Sequence, residues 1–137
     1  LSSFLSLPYV NLSSLSSLHK QYDTKRNCWV IDTSELRKVV KRILKKEKHL
    51  IIDGHLSHYL KKNEVGLCII VRCELKELRK RLKKRHYSSK KIKDNLECEA
   101  FDLCTLEAME QGHRPLVVRG DRSFSLDTLA WIKTTNH

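Results

Sequence analysis

The sequence predicts an α/β domain layered around a parallel sheet, and three observations carry that prediction. First, Leu50-Ile51-Ile52, Leu67-Cys68-Ile69-Ile70-Val71 and Leu116-Val117-Val118 are unbroken apolar runs rich in branched residues, the pattern of strands covered on both faces. Second, amphipathic helical stretches separate these runs, so the strands need right-handed crossovers. Third, the runs end in groups suited to a ligand, and ligands of open α/β sheets bind at the carboxyl edge of the strands. That edge collects Asp53, His55, His58, Arg72 and Gly120.

Taken in order, Leu1, Phe4 and Leu5 have helical spacing and read as the last turns of a helix that Pro8 ends. Tyr9-Val10-Asn11-Leu12 then reads as a short strand. Ser13, Ser14, Ser16 and Ser17 interleave with Leu12, Leu15 and Leu18, which suits a short helix or loop over a crevice, or a flexible connector. Tyr22 to Ile31 reads as an irregular connection. Asp32 is placed to cap a helix, with Glu35 completing a capping box. Leu36, Val39, Val40, Ile43 and Leu44 form its apolar face, and Arg37, Lys38, Lys41, Arg42 and Lys45 the opposite one.

The run through Ile51-Ile52 places Asp53 at a strand's carboxyl end, where a carboxylate is positioned to hold a water of a nucleotide-bound magnesium ion. Gly54 lets the chain turn at once and present His55 and His58 to the same crevice. Two histidines alone do not make a metal site. Arg72 ends the next strand, level with Asp53. Glu74 to Arg85 then reads as a helix with Leu75, Leu78 and Leu82 facing the core. Eleven Lys and Arg fall between residues 72 and 93, more than helix-dipole compensation requires, so an anionic ligand is expected here.

Ser88 or Ser89 starts a helix that runs to Gln111, with Gly112 at C′ and Pro115 beyond. Asp94 to Glu110 holds six acids and no base, so this acidic stretch is expected beside the basic one. Ser125 caps a final amphipathic helix carrying Leu126, Leu129 and Ile132.

At 137 residues and 40% hydrophobic content the chain fits one globular domain, residues 1–137, with a core of its own. A formal net charge of +11 favours a polyanionic partner: nucleotide phosphates, RNA or an anionic surface. Five cysteines, an odd number without a C-x-x-C pair, read as reduced thiols of a cytosol-like compartment. No apolar run is long enough to span a bilayer and no export signal is evident, so a cytoplasmic protein without a membrane partner is expected.

Beyond these patterns, the run Lys80-Arg81-Leu82-Lys83-Lys84-Arg85-His86-Tyr87 through Lys91-Ile92, Asn95-Leu96 and Glu99 resembles the short lid of the adenylate kinase isoenzyme 6 family. That pattern is RL-x-x-RGY-x-x-x-K-(I/L)-x-x-N-(I/V)-x-x-E. Asp53-Gly54-His55 is similar to the D-x-H signature of its archaeal members. Tyr9-Val10-Asn11-Leu12-Ser13 resembles their (Y/I)-I-N-(V/I)-S segment, and Tyr22-Asp23 with Val30-Ile31-Asp32 their YDEER…VVD connection. The resemblance covers nearly the whole chain.

It implies a P-loop NTPase-type three-layer sandwich, with residues 11–32 as the monophosphate-binding region and 80–99 as the lid. The implied activity is transfer of the γ-phosphoryl of ATP to AMP with Mg2+, plus weaker ATP hydrolysis. The implied role is maturation of the small ribosomal subunit through a ribosomal protein and pre-ribosomal RNA. Carried onto this sequence, Asp53 and Arg85 are the catalytic candidates, Asp53 through the magnesium water shell and Arg85 from the lid. Arg81, Arg85 and Gly120 fall on the ATP side, Asn11, Ser13, His55 and His58 on the AMP side, and Arg72 faces phosphate.

Three departures stand out. His86 occupies the lid glycine's place, where glycine would permit positive φ. The segment between Leu15 and Tyr22 is short and has Ser14 where an acid is common. The family's first strand and its G-x-x-x-x-G-K-(S/T) loop are absent, since Gly54, Gly66, Gly112 and Gly120 cannot form it. Truncation of about twenty upstream residues is therefore expected, because a sheet without its middle strand leaves backbone groups unpaired at about 1–3 kcal/mol each. The 137 residues alone are expected to be inactive and to bind nucleotide weakly at best. A different reading is a non-catalytic ribosome-assembly or RNA-binding module using the basic faces of residues 37–48 and 76–93, although Trp29, Tyr59 and Tyr87 are scattered rather than grouped for base stacking.

Overall fold

Strand pairing in this chain is short-range in space and parallel where helices intervene. A computed structural model describes residues 6–15, 18–23 and 28–122. The helix end at Leu1, Phe4 and Leu5, the serines Ser16 and Ser17, and the final helix after Ser125 lie outside the described residues. The chain divides after Leu60 into two compact units.

In the first unit, β1 (Tyr9–Asn11) pairs in parallel with β4 (Ile51–Asp53), Tyr9 opposite Ile51 and Asn11 opposite Asp53. The first unit's helix, α1 (Thr33–Leu44), begins where expected: Asp32 Oδ1 accepts the Ser34 N–H at 2.8 Å and the Ser34 hydroxyl at 2.6 Å. Its Leu36 and Val40 are buried, together with Leu12, Leu18 and Leu60. Each such side chain removed from water stabilises the fold by about 1.5–3 kcal/mol.

Between β1 and α1, the stretch read as irregular is an antiparallel hairpin of β2 (His19–Asp23) and β3 (Cys28–Ile31), with a register shift between His19 and Gln21. His19 to Asp23 carries no apolar alternation, so backbone pairing rather than side-chain pattern defines this strand.

In the second unit, β5 (Ile69–Arg72) pairs in parallel with β6 (Leu116–Arg119), Ile70 opposite Val117 and Arg72 opposite Arg119. The crossover consists of α2 (Leu75–Lys84), α3 (Ser89–Ala100) and α4 (Leu103–Glu110). The single helix expected from Ser88 to Gln111 is broken at Asp102, which adopts φ +54°. Neither glycine nor proline marks that break, and the Asp102 Oδ1 bond to the Thr105 hydroxyl at 2.6 Å supports it locally.

Helix ends follow their local signals. Ser88 Oγ accepts the Lys91 N–H at 3.2 Å at the start of α3. After α4, Gly112 takes φ +84° as the expected C′ glycine, and the His113 N–H closes onto the Ala108 carbonyl at 3.0 Å. After α2 the same motif forms with a histidine: His86 has φ +56°, its N–H donates to the Lys83 carbonyl at 2.9 Å, and the Tyr87 N–H donates to that of Leu82 at 3.4 Å.

The described strands form three two-stranded pairs, so β4 and β5 each keep an unpaired edge among the described residues. Coverage on both faces, expected from the apolar runs, is accordingly incomplete. Ile70 and Val118 are buried, whereas Val71, Val117 and Leu75 are exposed. Cys98 and Cys104 are exposed as well. Among the described residues no helix is long and apolar enough to cross a membrane.

Candidate active site

The carboxyl edge of β1 and β4 gathers one group of candidate residues. Parallel register sets Asn11 beside Asp53 at the strand ends. Asp53 is exposed, and the Tyr9 hydroxyl donates to its Oδ2 at 2.5 Å. That hydrogen bond raises the Tyr9 phenol above its ordinary value, since ionising the phenol would place two negative groups together. Oδ1 of Asp53 accepts no hydrogen bond among the described residues.

Asn11 turns onto its own chain: Oδ1 accepts the Ser13 N–H at 2.9 Å and the Ser13 hydroxyl at 2.5 Å, and its carbonyl accepts the Ser14 hydroxyl at 2.7 Å. These bonds shape the 3-10 turn Leu12–Ser14. Gly54 is needed here for a different reason from the one the sequence suggests. Its φ is not positive; a Cβ at this position would stand 2.9 Å from that of Leu12. The glycine thus permits close approach of two turns, not an unusual backbone. His55 is exposed, whereas His58 is buried with its ring 4.5 Å from that of Tyr59.

The carboxyl edge of β5 and β6 gathers a second group. Arg72 spends its whole fork on the end of α3: Nε to Glu99 Oε1 at 2.9 Å, Nη2 to the Glu99 carbonyl at 2.7 Å and Nη1 to Asp102 Oδ2 at 3.2 Å. Arg81, on α2, meets Glu77 Oε1 at 2.9 Å and the Gly120 carbonyl at 3.4 Å. Gly120 donates its N–H to the Arg72 carbonyl at 2.7 Å, and a Cβ there would come within 2.6 Å of Val71 Cγ1. Arg85 caps the end of α2 through its backbone, and its exposed guanidinium has no protein partner among the described residues.

Three participants escaped the sequence reading. Asp121 receives Arg119 in a fork, Nε at 2.9 Å and Nη2 at 2.6 Å, and accepts the Glu74 N–H at 3.2 Å, so it caps α2 from the turn after β6. Arg119 holds this carboxyl well below the usual carboxylate range, with the Glu74 N–H adding to the effect. Its signal was available, an acid directly after an apolar strand and a glycine. Glu99 is the last position of the lid pattern, but only the fold reveals Arg72 as its partner. Tyr9 is legible as a neighbour of Asp53 only once β1 and β4 are paired. Burial pushes the Cys73 thiol up, with Arg81 opposing.

Among the described residues no three His, Cys, Asp or Glu side chains gather to hold a metal ion. A single exposed carboxylate fits the other mode of divalent binding, in which magnesium keeps several waters and arrives with a nucleotide.

Parallel pairs, helical crossovers and ligand-type side chains at both carboxyl edges define an α/β domain of the P-loop NTPase class. A model of the AAA domain family matches residues 7–102, and the chain belongs to that family, in its archaeal-type adenylate kinase-like branch. A protein of Methanocaldococcus jannaschii named "Putative adenylate kinase" is 36% identical over 91 residues, 66% of this chain and 50% of that protein. One of the same name from Thermococcus kodakarensis is 36% identical over 114 residues, 83% of this chain and 62% of its own length. A third, from Methanococcus maripaludis, is 32% identical over 110 residues, 80% and 58% of the two chains. The chain thus spans half to somewhat over half the length of these curated relatives.

Proposed function

We propose that the full-length protein is a nucleotide kinase that moves the γ-phosphoryl group of ATP to AMP. The bond from Pγ to the β,γ-bridging oxygen breaks, one from Pγ to an AMP phosphate oxygen forms, and two ADP result. The observation that carries this reading is the exposed carboxylate of Asp53, bonded at one oxygen among the described residues, closing a parallel strand in a chain whose relatives are named for this activity.

Phosphoryl transfer asks a protein mainly for positioning and for positive charge around the transferred group. In this reading Asp53 would hold water of the nucleotide's magnesium ion, which would supply positive charge to the phosphates. Arg85, whose guanidinium has no partner among the described residues, supplies positive charge to the phosphates. Arg81, steadied by Glu77 beside Gly120, lies against the ATP base or joins the clamp, and Arg72 adds a cationic field while its fork stays with Glu99. Asn11, Ser13, His55 and His58 bound the AMP side. The reading also calls for a glycine-rich phosphate loop ending in Lys-Thr or Lys-Ser, so the protein to assay is the full-length one.

Two finer roles accompany the kinase reading. Slow ATP hydrolysis follows when water takes the place of AMP, and the net positive charge of the chain suits pre-ribosomal RNA or a small-subunit ribosomal protein in the cytoplasm. The decisive assay follows ADP formation from ATP and AMP by full-length protein and by Asp53→Asn. A loss of about 100-fold or more in kcat, with the fold intact, is expected. Equal rates would overturn the assignment.

A further inference from the structure

Outside the candidate site, the second unit carries a groove of about 570 Å3 between α2 and α3. From α2 it is lined by Leu75, Arg79 and Lys83, which at i, i+4 and i+8 form one straight stripe. From α3 it receives Ile92 and Leu96, and the Lys93–Glu97 pair, joined at 3.7 Å, stands on the same wall. Lys83, Ile92, Lys93, Leu96 and Glu97 fall within the segment 80–99 that resembles a lid, but none of the lining residues is among the individual site candidates.

Two features of the groove are unusual for plain surface. Leu75 is 43% exposed at one end of the α2 stripe, so apolar area is left facing water. Arg79 and Lys83, both exposed, have no hydrogen bond or ion pair among the described residues. The groove therefore combines wet leucine with two uncompensated cations one helical turn apart. A nucleic-acid backbone would satisfy the cations and leave the apolar floor wet. An uncharged apolar segment would cover the floor and strand the cations.

The geometry points to a docking site for an acidic amphipathic helix of a partner protein. A helix laid along the groove presents leucine-type side chains at i, i+3 and i+7 to Leu75, Ile92 and Leu96. Carboxylates on one flank, four residues apart, match the spacing of Arg79 and Lys83. The site does not depend on the kinase reading.

The test uses the full chain and a fluorescent 18-residue helical peptide with leucines at i, i+3, i+4 and i+7 and glutamates along one flank. Micromolar binding by anisotropy is expected. It should weaken at least about tenfold in Arg79→Glu/Lys83→Glu and return with a peptide in which lysines replace the glutamates. Leu96→Asp should also abolish it while leaving the circular dichroism spectrum unchanged. Failure of the peptide to bind would overturn the proposal. So would equal binding of a peptide with serines in place of the leucines, or full competition by single-stranded RNA, since either outcome marks a general polyanion surface.

Discussion

Arg72 and Glu99 are joined twice, by a 2.9 Å bond between Nε and the carboxylate and by a 2.7 Å bond from Nη2 to the backbone carbonyl. The Cys73 N–H adds a third link to the same carboxylate at 3.3 Å. The end of β5 is thereby pinned to the last turn of α3, on the far side of the lid segment. Both side chains are partly buried, so loss of either leaves a polar group short of partners. Glu99→Ala and Arg72→Ala are each expected to cost about 2 kcal/mol in urea unfolding, and the double variant less than the sum. Additive losses would mean that the pair does not act as a unit.

His86 sits at φ +56°, in the place of the glycine in the lid pattern that this segment resembles. A side chain there bears a backbone penalty that glycine escapes, and the Schellman bonds of α2 do not need the imidazole. His86→Gly should raise the unfolding midpoint, corresponding to about 0.5–1 kcal/mol, and Gly112→Ala at φ +84° should lower it by a similar amount. A lower midpoint in His86→Gly would show that the histidine side chain contributes contacts of its own.

These positions mark how far the sequence could be read. Asp32, Ser88, Gly112 and the suspicion about His86 are local signals, because capping and positive φ involve residues within one turn. The apolar runs placed β4, β5 and β6, and Asp53 at its strand end. What stayed hidden was long-range or unpatterned. Glu99 meets a guanidinium 27 residues away, Tyr9 a carboxylate 44 residues away, and His19 to Asp23 lacks the alternation that would mark a strand. Gly54 was singled out correctly as special, yet its reason, contact with Leu12, required coordinates.

That contact carries its own expectation. A methyl group at position 54 would stand 2.9 Å from the Cβ of Leu12, which is buried, so something must shift. Gly54→Ala should cost about 1–3 kcal/mol, the range of overpacked cores, and the double variant with Leu12→Ala should recover part of the loss at this contact. Chemical denaturation of the two proteins decides it.

Asp121 makes stability depend on acid. Its folded carboxyl is held below the ordinary value by Arg119, so the native state binds this proton less readily than the unfolded chain does. The resulting stabilisation is fully present above the unfolded carboxylate value of about 3.9 and drains away as pH falls below it. The stability gap between the wild-type protein and Asp121→Asn should accordingly be constant from pH 5 to 7 and shrink below about pH 4. A gap that stays constant across the acid limb would dissociate Asp121 from acid stability.

Tyr9 offers a way to separate the chemistry of Asp53 from its structural part. The phenol donates to Oδ2, and the carboxylate in turn holds the phenol above its ordinary value of 10.0. Asp53→Asn removes the charge, so the Tyr9 titration, followed by tyrosine-resolved NMR, should move down toward 10.0. The sign is fixed by which form gains: the neutral phenol is favoured in the folded state, so its contribution holds below that pH and fades above it. Tyr9→Phe leaves the carboxylate ionised and both its oxygens open. If Asp53 serves magnesium nucleotide, Tyr9→Phe should keep most of the turnover of the full-length protein while Asp53→Asn loses it. Equal losses in the two variants would instead make the Tyr9–Asp53 bond a brace for the β1–β4 pair, and would move the search for the phosphate-facing carboxylate elsewhere.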